Sequence, residues 1–449
     1  MCSRACFTPR TSLASHRRWA GGRGLALALA VTCLALFGQA PQNPDPKERV
    51  KTARELGKQG SAAIAQLRPM LSDPVAEVRV EVVKAIVDIG TQASLDPLIQ
   101  ATRDNEPEVQ IRATDGLVNF YYPDYVRNGL SASLRKVGNF FRDAFTQTAD
   151  VVIPPYVQVR PDVIEALGKL ARGGVNMTVR ANAAHAIGIL RGQAALPDLY
   201  EALRSKDDLV MYESLYAIQK IRDPNSAPHI QYLLRDLDEK VQITAIETTG
   251  LLRNRDALPE LRRMMTSPRN KKVARAALTA IAMIPDEQSR PVYLKYMEDK
   301  DDGLRGAAAE GLGRLKNTAD APALDKAFNS ERKMSPRLSN AFALAMMGKT
   351  EIAEFSPLQY LINSLNSTAW RGVGRALLIE LARETPVRRS LEQATQGGTR
   401  QEKVELAQIL AGSGDRETLA SLDKLSRDPD TEVAQAALNA MRSLKARLN

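Results

Sequence analysis

The feature that most constrains this 449-residue chain is a helix-pair pattern that recurs eleven times at a period near 31 residues. The second helix of each pair opens at Val78, Val109, Val179, Val210, Val241, Val273, Leu304, Pro336, Trp370, Gln401 and Val433. Successive marks lie 31 to 34 residues apart, except for one step of 70 between Val109 and Val179, which is one period plus a 39-residue insertion. A fixed period of this size specifies a solenoid, in which each unit buries its apolar face only against its neighbours. The expected fold is therefore all-α, a superhelix of about eleven helix pairs.

The marks sit on one apolar face. Eight positions after each stands a large apolar residue (Ile86, Leu117, Ile187, Ile218, Ile281, Leu312, Leu344, Leu378, Ile409, Met441), and Thr249 is the exception. One residue earlier the side chain is small in most pairs, as at Ala85, Gly116, Ala186, Ala217, Ala280, Gly311, Ala343 and Ala440. Positions 0, +4, +7 and +8 share a helical face, so this alternation predicts close helix-on-helix packing. The first helix of each pair is shorter. Turns such as 72–74, 104–107, 206–208 and 428–430 supply N-caps and prolines suited to a first helical turn. Helices this short are marginal alone and gain their stability from stacking.

Segments 73–90 (DPVAEVRVEVVKAIVDIG) and 179–191 (VRANAAHAIGILR) closely resemble HEAT repeats, in the short HEAT-like form also seen in phycobilisome lyases. The resemblance covers residues 50–449 and implies an α-solenoid. It implies no single activity, because HEAT arrays serve many unrelated tasks. The pairs marked by Pro336, Trp370 and Gln401 match least well and leave their boundaries open by a few residues. A lyase of this type acts on bilins in photosynthetic cytoplasm or stroma, and the N-terminus of this chain argues for a different setting.

Residues 1–24 carry five arginines and no acid, residues 25–37 form an apolar run, and Gly38-Gln39-Ala40 ends it ahead of a proline-rich stretch. A basic segment, a 13-residue apolar run and a small-x-small ending make a secretory signal peptide at 1–40, followed by a linker at 41–49. The run is shorter than the ~20 residues of a spanning helix, and an uncleaved anchor is the alternative. Export to the periplasm or beyond is expected. Cleavage after Ala40 removes five of the ten net positive charges and all three cysteines (Cys2, Cys6, Cys33). Disulfides and thiolate metal sites are then excluded, and a modest basic excess is no nucleic-acid footprint.

Catalytic signals are sparse. His185 and His229 are the histidines of the mature chain, and neither has a second ligand at metal spacing. The acidic run 298–303 has its glycine one position too early for a calcium loop and reads better as a helix cap. Gly311, Gly313, Gly372 and Gly374 lie in helical patterns with no preceding strand, so they read as packing positions. No nucleophile elbow appears. The expectation is a protein that is not an enzyme, with no cofactor and no metal.

The insertion, 122–160, holds with its flank eight of the chain's twenty Phe and Tyr residues. Leu130, Leu134, Val137, Phe141 and Phe145 follow helical spacing, predicting an amphipathic helix near 126–147 made basic by Arg127, Arg135, Lys136 and Arg142. Three readings stay open: the helix packs back on the solenoid, it binds a protein partner, or it contacts an anionic membrane surface. The candidate partner-binding residues are Tyr122, Tyr125, Arg135, Phe140, Phe141 and Phe145. A basic stretch at 253–275 and the tyrosines Tyr200, Tyr212, Tyr216 and Tyr232 are weaker candidates. The expected function is a non-catalytic scaffold or adaptor of the bacterial cell envelope that binds a protein through the solenoid surface and the insertion. The alternatives are a HEAT-like lyase or enzyme accessory subunit, and a membrane-surface tether.

Overall fold

The computed structural model describes residues 44–123, 125, 152–266 and 270–449. The signal segment and residues 126–151 of the insertion lie outside the described residues. Those described form 23 α-helices and no strand. Helix α1 (Pro46–Gly57) precedes the pairs α2/α3 (Ile64–Met70, Ala76–Ile89), α4/α5 (Leu95–Ala101, Pro107–Tyr121) and α6/α7 (Pro161–Gly173, Met177–Ile189). Next come α8/α9 (Leu196–Ala202, Asp208–Ile221), α10/α11 (Ala227–Ile230, Glu239–Leu251), α12/α13 (Leu258–Thr266, Lys271–Met283) and α14/α15 (Arg290–Tyr296, Asp302–Leu315). The last four are α16/α17 (Ala321–Ser330, Met334–Met346), α18/α19 (Pro357–Asn363, Arg371–Leu381), α20/α21 (Thr385–Gly397, Arg400–Ser413) and α22/α23 (Thr418–Leu425, Thr431–Leu448).

The second helices stack on one another in chain order, each also covered by its own first helix. In nine of the eleven pairs the sequence mark is the third residue of its helix. Trp370 is the N-cap of α19 rather than a residue of the helix, and two further details differ from the expectation. Helix α1 begins inside the stretch read as linker, because Asp45 accepts from Lys47 N–H (2.9 Å) and Pro46 fills the first turn. It packs on α3 as the second helices pack on each other, and so adds a twelfth member to their stack. In α21 the mark moves from Gln401 to Glu402. Thr399 and Glu402 form a capping box, and Leu406, Ile409 and Leu410 are the buried face.

The predicted apolar row is the core. Ile86, Leu117, Ile187, Ile218, Ile281, Leu312, Leu344, Leu378 and Ile409 are all fully buried. Gly311 is small for a reason: a β-carbon there would lie 2.5 Å from the buried Tyr293 ring, whose hydroxyl donates to the Ile281 carbonyl (3.0 Å). At Gly313 it would lie 2.5 Å from the Ala343 α-carbon of the next second helix. The backbones approach too closely for anything larger.

Ion pairs stitch successive repeats at one recurrent pair of positions. A basic residue just after the mark reaches an acid five residues before the next mark: Arg49 to Asp73 (2.7 Å), Arg79 to Asp104 (2.7 Å), Arg305 to Glu331 (2.8 Å) and Lys403 to Asp428 (2.8 Å). The arginines at Arg49 and Arg79 grip both carboxylate oxygens, and the acids also accept backbone N–H bonds in their own turns, as Asp104 does from Glu106 (2.8 Å). Each rung thus fixes a turn and the junction between two repeats together.

Thr249 occupies the one polar position in the core row. It is fully buried, and its hydroxyl has no hydrogen-bond partner among the described residues. An unpaired buried hydroxyl costs about 1–3 kcal/mol. Thr249→Val should therefore raise stability by about 1 kcal/mol, read as a higher urea midpoint at unchanged m-value.

Candidate functional site

The predicted site residues divide. Tyr122 is half-buried at the end of α5, and its ring packs on the core. Tyr125 is only 5% exposed and belongs to the core, so its ring does not stand free for a partner as the sequence reading had it. Arg135, Phe140, Phe141 and Phe145 lie outside the described residues. The returning segment is firmly held: Ile153 N–H donates to the Ile189 carbonyl (3.0 Å) and Arg160 N–H to the Tyr121 hydroxyl (3.2 Å). Tyr156 meets the Arg442 guanidinium of α23, 5.5 Å from its ring centroid. The insertion therefore departs and returns at the C-terminal ends of α5 and α7.

Along the same stack, the second helices present a row of ionisable and aromatic side chains. Asp115 accepts from the Asn182 amide (3.1 Å), and His185 Nδ1 lies 2.8 Å from a Glu213 oxygen. Tyr212 and Tyr216 rings lie 4.7 Å apart. Glu247 is next in the row, half-buried in area yet enclosed on nearly all sides, as a side chain in a narrow groove is. Burial pushes its pKa up to about 7. Burial likewise raises Asp115 to about 6, against the Asn182 hydrogen bond and the His185 and Arg112 charges. Tyr216 is pushed up to about 12 and Lys220 pulled down to about 8, both by burial first.

The C-terminal ends of these helices carry a second row. Twelve residues after the mark the backbone turns left-handed, and glycine fills that position at Gly90 (φ +57°) and Gly348 (φ +102°). Four repeats put a long cation there instead: Arg191 (φ +48°), Arg222 (φ +60°), Arg253 (φ +53°) and Lys316 (φ +55°). A side chain in this conformation costs roughly 1–2 kcal/mol. The end of α19 lies across this row. Glu380 pairs with Arg314 (2.7 Å) and Arg253 (3.6 Å), and Glu384 with Lys316 (2.8 Å). The buried Arg314 also takes Glu310 (3.1 Å) and stacks on Phe342 (4.9 Å). Arg191, Arg222 and Arg383 are left over. None of the three forms an ion pair or a side-chain hydrogen bond among the described residues, and Arg222 lies in the field of the other two. Burial lowers the pKa of Arg191, and burial together with those two charges lowers that of Arg222.

Three stretches of the sequence, 34–118, 164–236 and 266–346, match the family model for HEAT repeats. Together they make up more than half of the chain. The chain belongs to the HEAT-repeat family. Among solved structures, this HEAT array is similar to the CpcE–CpcF complex of phycocyanin lyase from Nostoc sp. PCC7120, at 17% identity over 60% of this chain and 93% of that one, with a TM-score of 0.36. It is also similar to YibA of E. coli (15%, 68% and 98%, TM-score 0.40) and to human deoxyhypusine hydroxylase (18%, 64% and 96%, TM-score 0.27). Scores this low carry no argument about activity. No curated protein matches the sequence.

Several sequence candidates resolve as internal contacts of the HEAT array. In the basic stretch, Arg253, Arg262, Arg263, Lys272 and Arg275 all pair with carboxylates, those of Glu380, Asp286, Glu260, Glu239 and Asp301. Asp301 of the acidic run caps α15. The four tyrosines belong to two layers: Tyr200 stacks on His229 (3.8 Å) and Tyr232 bonds the Leu203 carbonyl (3.1 Å), whereas Tyr212 and Tyr216 lie on the second helices. The left-handed basic row went unread in the sequence, although its signal was there as Arg, Arg, Arg and Lys at one fixed offset from the marks.

The raised pKa of Glu247 has a pH signature. The folded protein keeps this proton up to about pH 7, whereas the unfolded chain releases it near 4.5. Stability contributed by the protonated form is present below about pH 4.5 and is lost as pH rises to about 7. Glu247→Gln should match the wild type in urea midpoint near pH 4.5 and exceed it at pH 8.

Proposed function

We propose that the protein is a non-catalytic interaction scaffold of the bacterial cell envelope, which holds an acidic protein partner against the C-terminal ends of its second helices. The observation that carries this reading is the grouping of Arg191, Arg222 and Arg383, which form no ion pair among the described residues although Glu380 lies in the field of Arg383; two of the three stand on left-handed backbone that glycine occupies elsewhere in the same array. A fold that spends backbone stability to hold exposed cations together without an ion pair has prepared a site for carboxylates. Placement in the envelope rests on the arginine-rich start, the apolar run at 25–37 and its small-x-small ending. The non-catalytic reading rests on the want of a nucleophile-and-base pattern in the sequence, and on groove groups that bind one another, as Asp115 does Asn182 and His185 does Glu213.

The insertion supplies the second contact, through Arg135, Phe140, Phe141 and Phe145, with Tyr122 at its base. Its departure point on the same helix ends as the arginine row supports that assignment. Aromatic side chains beside arginine are the usual anchors of protein interfaces.

Glycine substitution separates binding from folding. Arg191→Gly/Arg222→Gly should unfold at a higher temperature, by about 1 kcal/mol per site, and yet fail to retain the partner in a pull-down from solubilised envelopes. Phe141→Ala/Phe145→Ala should weaken capture with no change in unfolding. Equal recovery by wild type and the arginine variant would remove the proposed site.

A further inference from the structure

Two arginines of the inter-repeat ladder have lost their acid: Arg180, whose acid position holds Ser205 and which donates to the Ala171 carbonyl (3.1 Å) instead, and Arg337. Arg337 stands just after the mark of its repeat, the position that at Arg49, Arg79, Arg305 and Lys403 reaches a carboxylate of the next turn. In the next turn that acid position holds Leu365, fully buried, whose carbonyl is taken by Arg371 (2.9 Å). Arg337 instead sits against an edge-to-face aromatic pair, 4.6 Å from the Tyr360 centroid and 5.1 Å from that of Phe328, and its buried Nε has no hydrogen-bond partner among the described residues.

This arginine opens on a cavity of about 370 Å³ lined also by Glu354, Phe355, Gln359, Tyr360 and Asn363. Phe355 is held in a costly pose. Ser356 N–H closes a turn onto the Ala353 carbonyl (3.0 Å), and Phe355 occupies its third position at φ +68°, where glycine or asparagine is usual. The ring is 83% exposed, so no burial offsets the strain. The connection that carries it, 347–356, is longer than the other links between repeats apart from the insertion at 122–160, and it accounts for the 34-residue step from Pro336 to Trp370.

We propose that this cavity is a carboxylate-binding pocket for an acidic side chain of a protein partner, with Arg337 as the recognition group and Phe355 as the apolar wall beside it. At this register Arg79 and Arg305 each bind a carboxylate, held at 2.7–2.8 Å. The two aromatic rings hold the guanidinium in place without neutralising its charge, and a guanidinium is suited to a bidentate carboxylate acceptor. Glu354 at the rim is an exposed carboxylate. One cation beside one anion suits a single carboxylate with a neighbouring backbone N–H. It disfavours a phosphate-dense ligand or a lipid surface.

The pocket deepens the scaffold reading by naming a second point of contact and its chemistry. The test uses the full mature chain and acetylated, amidated hexapeptides, each with one central Asp or Glu between apolar residues, alongside their Asn or Gln twins. Binding is read from the Arg337 Nε–H resonance, assigned by its loss in Arg337→Gln. Acidic peptides should shift that signal and bind at least about tenfold more tightly than the amide twins. Arg337→Lys should weaken them, since an ammonium cannot offer the fork, and Phe355→Gly should weaken them while raising the melting temperature. An unmoved resonance, equal binding of acids and amides, or unchanged binding by Arg337→Gln would overturn the pocket. A partner captured from envelopes equally by wild type and Arg337→Gln would also overturn it, while leaving the scaffold reading intact.

Discussion

Everything in this molecule depends on the stacking of its second helices. Each buries its apolar face against the helix before and the helix after, so no repeat has a core of its own. Close approach requires small residues at fixed places, which is why Gly313 meets the Ala343 backbone. Partly buried rungs such as Arg79–Asp104 then lock the angle at each junction, because two parallel hydrogen bonds define a direction as well as a distance. The stack winds tightly enough that the end of α19 meets the ends of α11 and α15 through Glu380.

Function follows from departures within that regular frame. Where a rung or a helix end is satisfied internally, the side chains are committed to the fold. Where the repeat keeps the cation and omits the anion, a charge is held at a defined place without an ion-pair partner among the described residues. Arg337 is such a departure along the ladder, and Arg191, Arg222 and Arg383 form another at the helix ends. Backbone strain accompanies both, at Phe355 and at the left-handed arginines. Two kinds of cost falling on the same places are difficult to explain by folding alone.

The fold was legible because burial repeats: one mark, one apolar residue eight positions on, and one turn per unit. The failures have physical causes. Helix α1 lacks an apolar residue at its mark, since Glu48 stands there, and so it escaped a search for hydrophobic marks. Glu402 escaped because capping, rather than burial of an apolar side chain, decides that position. The burial of Tyr125 could not be read ahead, because a buried aromatic and one that anchors a partner look alike in sequence. The arginines were invisible for a different reason. Whether a basic residue is paired depends on acids 24 to 127 residues away, as Arg49–Asp73 and Arg253–Glu380 illustrate, and local pattern carries no such information.

The most direct test of the account is photo-crosslinking in intact cells, with benzoylphenylalanine placed at position 355 beside the orphaned arginine, and at position 294 as a control. Leu294 is also exposed, at 41%, but lies on the first-helix layer away from either departure from the repeat. The account predicts a discrete protein adduct from position 355 and none from 294. Adducts from 294 alone, or equal labelling from both, would show that the partner reads the generic surface of the array and would contradict it.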